Sequence, residues 1–478
     1  MSTRRDARGP LLWLFAVALA LVALMAGAAG CGGDEEDDGG AAAEETTTAA
    51  ETGGADTGAA IEGGAIKIGH LSTCEGPFAP FYDSTTAGAM LPLIERGGTP
   101  AGGKGSDGVS GATVAGRPVE LAFGCSDATP DRAVEEARRL VEDEGVDILI
   151  GPLSGSEGIA VANYAKEQPG VTFLNGSSAA QDTTLKVQAD NFFRWGTDGA
   201  QWMAGLGAYA YKELGWRRVV TIADDYDFPY TQNAGFVAEF CSLGGEVVER
   251  IWPPLGEEDY SSYIAQIPSG DIDGFYLSVT GTGTIAFAQQ YEQLRGNLAE
   301  AIVAGSVAVD PNVLKELGDR MVGVVSAGPV AGDSQEPAFT EYMDALKQAY
   351  PEVVGGSLFD VLYYDAMEAA LLALEEVSGD LSDNQAAFRE AMANLTLEAP
   401  NGPTTLDENR NAVAPNYLFE VTEDTTGDDV PDVQTLAEVP DVDQTFAGFF
   451  SADTPTPDRT NPKCVEGEPP PWTEEVGR

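Results

Sequence analysis

"PDRAVEEARRLVEDEGVDILIGPLSGSEGIAVANYAK", residues Pro130 to Lys166, is the stretch that decides the fold. Its opening places Ala133, Ala137, Leu140 and Val141 on one face of a helix and paired charges on the other. "VDILIG" follows as a short continuous apolar run, the mark of a strand covered on both faces. A small hydroxyl-rich turn, Ser154 to Ser156, then leads into a second helix. Helix, buried strand and helix in succession are the repeating unit of a doubly wound parallel sheet.

The same alternation extends in both directions. Upstream lie "IKIGH", a helix around Thr85 to Arg96, a Gly-rich insertion and "RPVELAFG"; downstream comes "VTFLN". After Arg194 a second series begins with "RRVVTIADD", "EVVERIW", "DGFYLSV" and "AIVAG", each followed by a helical pattern. "MVGVVSAGP" comes next, then long helices from about Pro337 to Tyr350 and Phe359 to Val377. "TTLDE" and "NYLFEVTED" are the last regular pieces, and residues 451–478 form a Pro-rich extended tail. The fold class is α/β, with two doubly wound parallel-sheet lobes.

The N-terminus is of another kind. Arg4, Arg5 and Arg8 precede an apolar run, Leu11 to Met25, and small residues then lead to Cys31. Residues 1–30 read as an export signal. The ending "AAGC" resembles the lipobox of bacterial lipoproteins, with Ala28 where Leu is usual, which makes Cys31 the lipidated residue and the new N-terminus. Residues 31–63 are acidic, Gly- and Thr-rich and free of aromatics, so they cannot bury enough surface to order themselves and form a disordered tether.

The net charge of −51, from 26 basic and 77 acidic residues, excludes nucleic acid and anionic membrane surfaces as partners. Of the five cysteines, four remain after lipidation, an even number suited to an oxidising compartment. Cys74 and Cys125 each follow one of two strands; parallel pairing of those strands puts both at one sheet edge, within bridging reach. Cys241 and Cys464 are left to pair, tying the tail to the second lobe. A single histidine and unsuitable spacings argue against a metal site.

The turn at Ser156 almost spells the Gly-x-Ser-x-Gly elbow of a serine hydrolase, but Ser154 stands at the first glycine position. A triad also needs a histidine base after the serine, and the sole histidine, His70, precedes it. The turn is therefore expected to hold a ligand rather than to react. Helix N-termini offer unpaired N–H groups and partial positive charge, which receive a carboxylate readily. "NGSSAA", Asn175 to Ala180, repeats the arrangement at the next strand end. "GTGTIA" at Gly281 lacks the last glycine of a dinucleotide fingerprint, and the acidic run Glu423 to Gln434 misses the EF-hand spacing. No cofactor is expected.

"IKIGHLSTCEGPFAPFYDSTTAGAMLPLIE", "LAFGCSDATPDRAVEEARRLVEDEGVDILIGPLSGSE", "GVTFLNGSSAAQDTTL", "NFFRW" and "RRVVTIADDYDFPYTQNAGFVAEF" together resemble the leucine/isoleucine/valine-binding branch of the type I periplasmic binding proteins. The resemblance runs from Ile66 to about Thr422. It implies an extracytoplasmic solute receptor of an ABC importer, not an enzyme, with two lobes joined by a three-strand hinge. Residues 64–194 and 329–403 would form lobe one, and 195–328 with 404–450 lobe two. The implied partners are a small amino-acid-like or related polar solute, a membrane permease and, through the lipid, the membrane itself. The receptor is expected to be a monomer. The alternative is a sensor lipoprotein of the same fold that reports ligand occupancy to a membrane partner.

The resemblance places solute contacts on Ser154, Gly155 and Ser156 and on Ser177, Ser178 and Ala179. It puts aromatic walls at Phe81, with Phe78 and Tyr82 close by, at Tyr226 and Phe228, and at Trp195 near the first crossover. It also implies a departure: Ser306 stands where these receptors carry the glutamate that neutralises the ligand's ammonium, leaving Asp225, Asp227 or Asp310 as substitutes, or else a ligand without ammonium. Near Thr280 and Gly281 the family's second-lobe tyrosine is also replaced.

Overall fold

The computed structural model describes residues 64–476. The expected export signal, Cys31 and the acidic tether lie outside these residues.

The first sheet is built from the leading third of the described chain. β1 (Ile66–Thr73) runs into α1 (Tyr82–Glu95), and the Gly-rich insertion folds into the short pair β2 (Thr99–Pro100) and β3 (Val109–Ser110). β4 (Thr113–Val114) turns back onto β5 (Arg117–Ser126), which α2 (Pro130–Arg138), β6 (Ile148–Ile150), α3 (Gly155–Ala165), β7 (Thr172–Leu174), α4 (Asp182–Leu185) and β8 (Phe192–Phe193) follow. The strand order is β4-β5-β1-β6-β7-β8, parallel except for the β4–β5 turn. The three residues of β6 show why "DILI" has no polar alternation. Ile148 and Ile150 point into one core, whereas Leu149 joins Ala133, Ala137, Leu140 and Val141 in a second core on the opposite face. A strand buried on both sides must be apolar throughout.

The second lobe continues the pattern with α5 (Leu206–Lys212), β9 (Arg218–Ala223), α6 (Asp227–Ser242), β10 (Glu246–Ile251), α7 (Ser261–Ile264), β11 (Gly274–Ser278), α8 (Thr282–Arg295), β12 (Ile302–Gly305), α9 (Pro311–Leu317) and β13 (Val325–Gly328). Strands β10-β9-β11-β12-β13 are parallel in that order. The chain then returns to the first lobe as α10 (Pro337–Ala349), α11 (Leu358–Glu376) and α12 (Ser382–Asn394), and α11 lies along α1. Gly88 makes that crossing possible, because a Cβ there would sit 2.0 Å from the Asp360 carbonyl oxygen.

Two differences from the sequence reading follow. Residues 397–403, expected in lobe one, belong to β14 (Leu397–Ala399) and β15 (Gly402–Leu406), which pair antiparallel beyond β16 (Ala412–Val421) in the second sheet. A further strand, β17 (Val433–Val442), pairs antiparallel with β16. Its outer face is polar and half exposed, so it carries no apolar run to betray it. The acidic run before it is the connecting loop, tied by its own carboxylates: Asp424 accepts from the Gly427 and Asp429 N–H groups and Asp432 from that of Thr425.

Three chain crossings link the lobes, and a fully buried arginine at the first of them reaches the β15–β16 turn. Arg194, just past β8, donates to Asn411 Oδ1 (2.6 Å), the Ala180 carbonyl (2.7 Å) and Thr184 Oγ1 (2.7 Å). Both disulfides join the expected partners. Cys74 and Cys125 bridge the ends of β1 and β5 with Cα atoms 5.3 Å apart, and Cys241 at the end of α6 bridges Cys464 of the tail. The tail follows α6 back from that bridge. Arg459 pairs with Asp225 ahead of the helix, and Thr456 donates to Asp182 (2.7 Å) of α4 in the first lobe.

Candidate functional site

The starts of α3 and α6, one from each lobe, face each other across a cavity. Ser154 precedes α3 with extended backbone, and the Glu157 carboxylate accepts its N–H (3.0 Å). α6 begins at Asp227, an acid at the positive end of its helix. Ser156 Oγ donates to Asp227 Oδ2 at 2.6 Å across the lobe boundary. Gly155 permits the approach: a Cβ there would lie 2.8 Å from Phe228 Cβ and 3.0 Å from its backbone nitrogen.

The cavity is nearly shut, with about 10 Å³ of free space, and is lined by Phe78, Leu153, Ser154, Gly155, Ser177 and Phe359 from the first lobe and by Trp202, Tyr226, Phe228 and Val307 from the second. That is room for about one water molecule, so a solute enters only when these side chains move apart. The walls are aromatic: Trp202 meets Phe228 edge-on at 5.5 Å between ring centres, and Tyr226 lies 6.2 Å from Phe78 and 6.3 Å from Phe228. Two polar groups break that surface. The hydroxyls of Ser154 and Ser177, residues 2% and 4% exposed, have no hydrogen-bond partner in the protein.

Of the residues singled out in the sequence, Ser154, Gly155, Ser177, Tyr226 and Phe228 border this cavity. The others lie around it. Ser178 Oγ is spent on Asn175 (2.8 Å), and the Ala179 carbonyl accepts the Gly199 N–H (2.8 Å). Phe81 stacks on Phe359 at 4.1 Å, one layer behind, and Phe78 takes the front position. Trp195 is buried outside the lining, and Trp202 supplies the indole instead. Leu153, Trp202, Val307 and Phe359 were not foreseen.

Each candidate counter-ion is already engaged. Asp225 pairs with Arg459 and accepts from Tyr230, Asp227 holds Ser156, and Asp310 accepts from Ser357 Oγ (2.6 Å) and the Asn312 amide. Asp224 holds the Thr280 N–H (2.8 Å) and hydroxyl (2.7 Å). Ser306 accepts from Gln232 (2.9 Å), which in turn accepts from Ser278. His70 lies among the rings of Tyr82, Phe123 and Tyr363, and burial lowers its pKa to about 4. Neither of its nitrogens has a hydrogen-bond partner, so no triad is assembled at Ser156.

Burial raises the carboxyl of Glu157, beneath the cavity, from its ordinary range to about 7, and it does the same to Asp224 and Glu239. A carboxyl with a folded pKa above its unfolded one binds its proton more tightly in the fold. Its contribution is full below pH ~4 and is lost as pH rises through 7. The melting temperature is therefore expected to fall between pH 5 and pH 8, and Glu157→Gln to flatten part of that slope. A flat profile in the parent protein would contradict it.

Comparison with known proteins adds relatives to this geometry. The sequence profile of the family described as "Periplasmic binding protein" matches residues 65–427. A Leu/Ile/Val-binding protein homolog 6 from Brucella melitensis is 25% identical over 363 residues, covering 74% of this chain and 87% of its own. A solute binding protein of an ABC transporter from R. palustris, crystallised with benzoate, superposes with a TM-score of 0.69 at 24% identity, over 79% of this chain and 98% of that one. A leucine binding protein from Thermotoga maritima superposes with a TM-score of 0.67 at 22% identity, over 79% and 99% of the two chains. The likeness to these two structures is one of fold.

Proposed function

Since the chain belongs to the periplasmic binding protein family, we propose that it is an extracytoplasmic receptor that closes its lobes on a small solute and presents it to an ABC permease. The family is one of solute-binding proteins, and the chain is not an enzyme. In this reading Cys31 carries the lipid that holds the receptor at the membrane. Lobe one comprises about 64–194 with 329–394, and lobe two about 195–328 with 397–450, hinged at the three crossings between them, the first of which carries Arg194.

The observation that carries the reading is the cavity itself. It lies between the lobes, at two facing helix starts, with two buried hydroxyls left free to receive a ligand's polar end. Closure brings Ser154, Ser177, Phe78 and Phe359 together with Trp202, Tyr226 and Phe228, so only the closed state offers a ligand both sets of contacts. Phe81 supports that wall from behind through Phe359, and Ser156, Ser178, Ala179, Trp195, Asp225 and Ser306 are read as lying around the site.

The test is a panel of amino acids, carboxylates and amides, followed by thermal shift and by fluorescence, with Trp202→Phe identifying the indole that responds. A ligand that binds the folded protein stabilises it by RT ln(1 + [L]/Kd), so the melting temperature rises with ligand concentration. Binding is expected for at least one compound and is expected to fall at least tenfold in Phe228→Ala. A panel without any response overturns the proposal.

A further inference from the structure

We propose that the solute is a monocarboxylate without an ammonium group, carried on a compact and mainly apolar body. The inference rests on the cleft being the solute site, as read above, and deepens that reading.

The argument is one of counter-charges. None of the residues that line the cavity is an acid or a base apart from the Tyr226 phenol. Of the acids around it, Asp225 is neutralised by Arg459, whereas Asp227 and Asp310 are held by the neutral groups of Ser156, Ser357 and Asn312 and do not border the cavity. Asp224 and Glu157 each keep one oxygen unpartnered, but neither residue borders the cavity. An α-amino acid enclosed here would bury its ammonium against rings, Val307 and Leu153, with no acid among the lining residues to meet it. Unpaired buried charge is among the costliest features a binding site can hold.

A carboxylate meets the opposite surroundings. α3, of eleven residues, directs its positive end at this space, whereas α6, of sixteen, carries Asp227 at its own positive end. Beside α3 stand the unpartnered hydroxyls of Ser154 and Ser177 as donors. The rest of the wall, Phe78, Phe359, Trp202 and Phe228, suits a ring or branched alkyl group.

The experiment uses the full chain and matched ligands in calorimetry: 4-methylpentanoate against L-leucine, 3-phenylpropanoate against L-phenylalanine, and benzoate against benzamide. In at least one pair the plain carboxylate is expected to bind at least a hundredfold more tightly than its amino or amide counterpart. Ser154→Ala with Ser177→Ala is expected to reduce that binding at least tenfold without changing the melting temperature of the free protein. An amino acid or amide that binds as tightly as its carboxylate overturns the inference. If that binding is lost in Phe228→Ala, the cleft remains the site and only the ligand class is wrong. Absence of binding by every compound, or binding indifferent to Phe228→Ala, overturns the class and the site together.

Discussion

Gly155→Val leaves two folded lobes that no longer close, and solute affinity falls at least a thousandfold. The first added carbon would lie 2.8 Å from Phe228 Cβ and 3.0 Å from its backbone nitrogen, closer than real Cβ atoms approach such neighbours. The contact is with backbone at the start of α6, so no side-chain rotation relieves it. Either the lobes stand apart or α6 shifts, and each outcome removes Tyr226 and Phe228 from the ligand. Gly155 is the first residue of α3, outside the interior of either sheet, so the variant is expected to melt close to the parent in the absence of ligand. Small-angle scattering supplies the decisive reading. The parent should contract when ligand is added and the variant should keep its open radius; contraction in both would show that the facing helix starts do not gate closure.

The second large effect is on stability. Replacing Cys241 and Cys464 together by serine releases a loop closed across 223 residues of sequence. In the chain-entropy account a cross-link of that span restrains the unfolded chain by about 5 kcal/mol. The bridge from Cys74 to Cys125 spans 51 residues and contributes about 4 kcal/mol on the same basis. Loss of the longer bridge is therefore expected to give the larger drop in the urea midpoint. A change below 1 kcal/mol would mean that the tail's other contacts, with Arg250, Asp225 and Asp182, hold it without the bridge.

The first lobe was legible because its physics is local. The apolar run at Ile148 to Ile150 and the helical face of Ala133, Ala137 and Leu140 are adjacent in sequence and in space. The serine turn was legible for the same reason, since Ser154 both precedes α3 and borders the cavity. Phe78 and Phe81 were harder to separate. They sit three residues apart in a 3₁₀ turn, Gly76 to Phe81, where such a pair shares one side of the helix. Only the docking of Phe359 decides which faces the cleft. Phe359 and Trp202 come from segments whose sequences resemble ordinary buried helix starts, and they reach the site through chain crossings that no local pattern encodes. β17 was invisible because an edge strand with a polar outer face looks like the acidic loop that precedes it.

The crossing of α1 by α11 at Gly88 also sets an order of events at synthesis. The part of α1 that packs on α11, in the same core as Val361, Leu362 and Ala366, is not covered until Leu358–Glu376 has been made. Some 270 residues separate Gly88 from Asp360, and contacts that distant form late because a long loop must close first. A nascent chain is thus held short of its native state until most of it has left the ribosome, which is the condition a polypeptide needs to be threaded through a narrow translocation channel.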